Sequence, residues 1–139
     1  MTRRMPRVQA VALPILRAAL PDTVKVGSWV EDLDHRAFPM VNVRSLGGFR
    51  NLQRPEDLSL PVIEMTAYTV DGLVETENLY QDALSALYDA AKRQVLTEHG
   101  YLNSVFETMG ATQFSSLYMD SWRVQGLIRL GLRPPRTSA

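Results

Sequence analysis

Glu31, Asp32, Asp34 and His35 form the one cluster in this chain whose residue types and spacing resemble a metal site. Carboxylates so placed suit Mg or Mn, and an imidazole adds a nitrogen ligand. No second group of ligands follows, however, and the segment lacks the Gly and the distal Glu of a calcium loop. Residues 31–35 therefore read as a solvated hairpin turn between two strands. Ser115 or Ser116, with His99 and Asp120, supply the types of a nucleophilic triad, but no G-x-S-x-G elbow surrounds either serine. Gly47-Gly48 fits neither the G-x-G-x-x-G nor the G-x-x-x-x-G-K-[ST] phosphate loop and reads as the end of a strand. The chain has no Cys, which removes disulfides, thiolate metal sites and Cys nucleophiles together. No residue is assigned a catalytic, cofactor-binding or metal-binding role.

The elements that would position any site follow from length and periodicity. A chain of 139 residues, 45% hydrophobic and 22% charged, suits one domain over 1–139, with short flexible ends at about 1–7 and 134–139. No apolar run approaches the ~18–20 residues of a membrane span. Arg3, Arg4 and Arg7 ahead of VQAVALPILRAAL look like a signal peptide, but Arg17 interrupts the apolar stretch and no clean cleavage site follows. That segment reads as a basic lead-in to a short helix.

Val8, Val11, Ala12, Ile15, Leu16 and Ala19 keep helical spacing up to Leu20, and Pro14 inside the run predicts a late start or a kink. Val24, Val26, Ser28 and Val30 alternate as a strand, and Phe38 to Leu46 predict the next. Residues 47–61 read as a long loop, and Val62 to Thr69 as a strand with Ile63, Met65 and Ala67 on one face. A main helix is predicted over Leu73–Thr97, with the stripe Tyr80, Leu84, Leu87, Tyr88, Ala91 and Val95 and a stop at Gly100. Glu75 and Glu77 are placed in its first turn. Asn103 to Met109 predict a strand, residues 110–120 a second long loop, and Ser121 to Arg133 a last strand. On that strand Trp122, Val124, Ile128, Leu130 and Leu132 point one way, and Arg123, Gln125, Arg129 and Arg133 the other. The order implies an α+β fold: a small antiparallel sheet of about four to five strands with two helices packed on one face.

Equal numbers of acids and bases, 15 each, hide a segregated charge distribution. Residues 1–20 and 121–139 carry arginines and no acid, while 71–89 carry five acids and no base. Such separation suits complementary contacts between copies or with partners. A net charge of zero falls short of the basic footprint of a nucleic-acid-binding domain. Pairing of Glu64 and Glu107 with Arg44, Arg123, Arg129 and Arg133 across the sheet is the expected use of the arginine face.

The segments DHRAFPMVNVRSLGGFRN, LPVIEMTAYT, ETENLYQDALSALYDA, TMGATQFSS and DSWRVQGLIRLGLRP, in that order, resemble the tail-terminator proteins of long-tailed, non-contractile bacteriophages. Those of phages infecting actinobacteria are the most similar, and the resemblance spans roughly Leu13 to Pro134. It implies a structural virion protein, made in the host cytoplasm. Six copies would form a ring at the head-proximal end of the tail, ending tube polymerisation and joining tail to head. The implied partners are the chain itself, the major tail tube protein and head–tail connector proteins. DNA passes through the ring without sequence-specific binding. No membrane, cofactor, metal or catalytic residue is implied. The alternatives are another head–tail connector or neck-completion protein, a minor tail subunit, and, in a different class, a small metal-dependent enzyme built on the 31–35 turn. For a ring, the expected contact residues are Phe49, Arg50, Phe114 and Leu117 from the two long loops, Arg123, Arg129 and Arg133 from the last strand, and Glu75 and Glu77 from the acidic helix.

Overall fold

The computed structural model describes residues 4–28, 38–115 and 120–135. The 31–35 cluster, Ser116 and Leu117 lie outside the described residues. The element order is α1 (Val8–Ala19), β1 (Lys25–Gly27), β2 (Met40–Arg50), β3 (Ser59–Thr69), α2 (Leu73–Arg93), β4 (Tyr101–Phe114) and β5 (Trp122–Arg133). The strands form one sheet in the order β1-β2-β3-β5-β4, antiparallel throughout except that β1 runs parallel to β2. The fold is α+β, as the order of elements predicted. Parallel β1 and β2 do not pair as a hairpin.

Both helices pack on one face, and the core draws on both of them and on all five strands. On α1, Val8, Val11, Ala12, Ile15 and Leu16 are buried at i, i+3, i+4, i+7 and i+8. The helix starts at Val8 and continues through Pro14, so the predicted late start is wrong. Pro14 sits on the outer side of α1, where the Ala10 carbonyl it fails to engage can meet solvent.

The buried set of α2 is Thr76, Leu79, Tyr80, Ala83, Leu87 and Ala90. The predicted stripe was rotated: Tyr88 is exposed, and Leu84 and Ala91 only flank the core. Alanines on the inner side let the helix approach closely, while the Tyr88 hydroxyl reaches out to donate to Glu107 Oε2 at 2.9 Å. The helix ends at Arg93, because Gln94 adopts the left-handed conformation (φ 51°, ψ 53°) and closes it. Gly100 instead belongs to the turn that bridges to Thr97 ahead of β4.

Two predicted loops are in part strand. Gly47-Gly48 does not end β2, because the ladder steps from Ser45↔Ile63 to Gly48↔Pro61 and so inserts one extra residue. Gly48 has φ +124°, and a Cβ there would collide with the Leu60 carbonyl and Pro61. The connection that remains is 51–58. Likewise β4 continues past Met109 to Phe114 through the last of its three register shifts, between Met109 and Thr112.

Among the glycines, Gly126 is the most closely covered, and Tyr80 covers it. A Cβ on Gly126 would collide with the Tyr80 hydroxyl and come within 2.9 Å of the Met109 carbonyl oxygen. The hydroxyl is itself buried without a hydrogen-bond partner. Burial pushes its pKa from 10.0 up to about 12, with the Glu107 charge and Tyr88 adding to the rise.

Gly126→Ala should therefore lower the unfolding free energy by about 1–3 kcal/mol in a urea titration, and Tyr80→Phe should recover part of that loss in the double variant. A Gly126→Ala protein as stable as the parent would show that this contact does not set the helix–sheet spacing. A second outcome concerns alkaline pH. The folded state holds the Tyr80 proton more tightly than the unfolded chain, so its contribution is fully present below pH 10.0 and is lost as pH rises to about 12. The alkaline decline in Tm should be shallower in Tyr80→Phe than in the parent.

Candidate assembly surface

The sheet face away from the helices carries Arg44, Arg123, Arg129 and Arg133, as alternation along the strands predicted. The Arg44–Glu64 pairing is as expected, and the partners of the other three differ from expectation. Arg44 meets Glu64 at 3.5 Å. The Arg129 guanidinium stacks over the Phe49 ring at 4.8 Å, and that of Arg123 over Phe114 at 5.1 Å. Arg133 donates from Nε to the Asn103 side-chain oxygen at 3.0 Å. Among the described residues, none of these last three pairs with a carboxylate. Glu107 is opposite Ile128, on the helix side of the sheet, and accepts from Tyr88 instead. Pairing of Glu107 with the arginine face is thus a corrected expectation. The Nε atoms of Arg123 and Arg129 are buried and make no hydrogen bond among the described residues, so the aromatic rings do for these two cations what the carboxylates were expected to do.

This face is not polar along its whole length. Toward the end where β3 leads into α2, Met40, Asn42, Thr66 and Tyr68 are all buried. Thr66 donates to the Gln125 side-chain oxygen at 3.3 Å there.

The two hairpins lie at opposite ends of the sheet. The pairing Arg50↔Ser59 closes one end, and Phe114↔Arg123 together with Thr69↔Trp122 marks the other. At the first end the β2–β3 arm exposes Phe49 (52%), Arg50 and, at its tip, Leu52 (96%). The tip is built by Asn51, whose side-chain oxygen accepts from the backbone N–H of Gln53 at 3.0 Å and of Arg54 at 2.9 Å. At the second end a cleft of about 570 Å³ is lined by Val70, Gln113, Phe114, Ser115, Asp120, Ser121 and Trp122. Trp122 was expected to point into the core, but at the start of β5 it is 40% exposed. Glu75 and Glu77 are exposed on α2 near this end, with Glu75 alone in the first turn. Leu52, Val70 and Val74 were missed by sequence reasoning. The available signal for Leu52 was an apolar residue directly after Asn between two strands.

The chemistry weighed against assembly is not assembled. Ser115 and Asp120 sit at the cleft end and His99 before β4 at the other. The fourteen residues of β4 separate them, roughly 40 Å at ~3.3 Å per residue. No group of three His, Asp or Glu that could hold a metal occurs among the described residues. No helix is long and apolar enough to cross a membrane among the described residues.

A two-helix, one-sheet domain with arginine stacked on aromatics and apolar side chains held out at both ends has the features of an assembly subunit. Residues 4–139 match the phage tail termination protein family, and the chain belongs to it. It is 63% identical to the gene 22 protein of Mycobacterium phage L5 over 136 residues, 97% of this chain and 98% of that one. It is 59% identical to the gene 22 protein of Mycobacterium phage D29 over 135 residues, 96% and 97% of the two chains. A chain in the structure of the virion of a native gene transfer agent particle shares the fold, with a TM-score of 0.59 at 14% identity over 91% of this chain and 94% of that one. The protein is thus a structural component of the phage virion, located in the tail.

The stacked pair of Phe49 and Arg129 can be weighed directly. A double-mutant cycle with Phe49→Leu and Arg129→Gln, read by chemical denaturation, should give a coupling of about 0.5–1 kcal/mol. A coupling indistinguishable from zero would mean that the ring and the guanidinium are merely neighbours.

Proposed function

We propose that this chain forms a ring of six copies at the head-proximal end of the tail tube, where it ends tube polymerisation and joins the tail to the head. The observation that carries this reading is membership of the tail termination family over residues 4–139. The surface supports it, since the hairpin tip ordered by Asn51 holds Leu52 at 96% exposure, where it adds no burial to its own fold. A closed ring of identical subunits requires two different patches that meet head to tail, and the hairpins present different residues at opposite ends of the sheet.

In this reading the whole chain acts as one domain. Phe49, Arg50, Phe114, Arg123, Arg129, Arg133, Glu75 and Glu77 contribute to contacts between copies or with partners. Leu117 belongs to the same proposed set but lies outside the described residues. The partners are the tube protein on one side and connector proteins on the other, and DNA passes through without being read. The role is mechanical, with no enzymatic activity, cofactor or metal.

Phage in which this gene is interrupted should produce overlong tails without heads by electron microscopy, and supplying the protein in trans should restore normal length. Headless tails of normal length would assign the chain to another part of the neck, and normal virions would sink the reading altogether.

A further inference from the structure

We propose that the tip of the β2–β3 arm, with Leu52 as its anchor, seats in the Val70–Phe114–Trp122 cleft of a second copy of this chain. This rests on the ring reading above and specifies which two surfaces close it.

Among the described residues, six of the nine large apolar side chains that are exposed gather at two poles, the others being Tyr88, Leu96 and Phe106. Leu46, Phe49 and Leu52 mark the arm, while Val70, Val74 and Trp122 mark the opposite end, at 53%, 64% and 40% exposure. The charges beside the two apolar groups differ in sign. Leu52 stands between Arg50 and Arg54, and Glu56 and Asp57 follow on the returning side of the same 51–58 tip. Around the cleft Asp71, Glu75 and Asp120 are exposed, and the Arg123 cation is stacked on Phe114. Leu52 flanked by Arg50 and Arg54, facing a mixed cleft whose apolar part is Val70, Phe114 and Trp122 and around which Asp71, Glu75 and Asp120 are exposed, gives both steering and register.

The arm is also pre-organised. Asn51 donates its backbone N–H to the Leu58 carbonyl at 2.9 Å while its side chain caps two further N–H groups, and the Arg54 carbonyl accepts from Asp57 and Leu58. A tip already held in one conformation loses little entropy on docking. The two surfaces are unlike each other and lie at opposite ends of the sheet, so no copy can satisfy its own cleft and pairing must run head to tail.

Two other routes are less well supported. The free edge of β4 is interrupted by three register shifts, which discourages pairing with another strand. The groove lined by Pro14, Ile15, Ala18, Val95 and Leu96 has one carboxylate, Glu98, in its described lining, as the cleft has Asp120, but the cleft also has Asp71 and Glu75 exposed beside it.

The chain has no native Cys, so engineered thiols can be read without background. Particles are assembled with Leu52→Cys combined with Val70→Cys, and treated with oxidant or a short flexible bismaleimide. The expected result is a ladder of linked copies on denaturing gels that neither single variant produces. A pair of Leu52→Cys with Leu96→Cys should give no ladder. If the ladder comes from the Leu96 pair instead, or from neither pair while the protein is present in many copies, the proposal is overturned and the ring reading survives. One copy per particle by quantitative mass spectrometry would overturn both. As a second measurement, Leu52→Asp should keep the Tm of the isolated protein, because the side chain touches nothing within its own fold. It should nevertheless lower infectious titre at least about tenfold, the loss expected of one interface anchor. An unchanged titre would remove Leu52 as the anchor.

Discussion

Tyr80 can bring its hydroxyl against the sheet only because residue 126 has no side chain, and the seating of α2 depends on that permission. The contact sets how near α2 comes to β5, and therefore which residues of the helix reach the core. With the helix this close, alanine and threonine suffice beneath it at Thr76, Ala83 and Ala90. Larger side chains would hold it off. The cost is a hydroxyl buried with no partner, which is worth about 1–3 kcal/mol against the fold. A core that accepts such a group relies on shape at that point more than on polarity.

The covered face and the open face then divide the labour. On the covered side, aliphatic side chains from every element merge into one cluster, and stability resides there. On the open side, two arginines rest on phenylalanine rings, which hold flexible cations in place without neutralising them. A carboxylate would have cancelled the charge. The surface therefore remains electropositive yet ordered, a combination suited to meeting another protein with little entropy left to lose.

Much of this was legible from residue order. Periodicity located both helices and the strand of Ile63, Met65 and Ala67, and alternation put the arginines of β5 on the open face. What escaped had tertiary causes. Alternation is the same for a parallel and an antiparallel neighbour, so the direction of β1 could not be read. Gly47-Gly48 reads as a stop in isolation, but β3 supplies a partner on the far side of the bulge and the strand continues. The rotated stripe of α2 reflects Gly126, a residue far away in the chain. Glu107 shares the side of Val105, and following that alternation strictly would have kept it off the arginine face. The surface at the two ends was visible only as long loops, because a cleft depends on which hairpins fold toward which end.

The bulge at Gly47-Gly48 is also a parity switch. Val41, Val43 and Ser45 are odd-numbered and oppose residues of the helix-facing register. Phe49 is odd-numbered too, yet it stacks on Arg129 across the opposite face. One surplus residue inverts odd and even for the arm alone, so the arm obeys a different counting rule from the strand that carries it. Deleting a single glycine would leave the composition almost untouched and turn Phe49 to the opposite side of the ribbon. Evolution can change the arm's side chains freely, but at that point it cannot change their number.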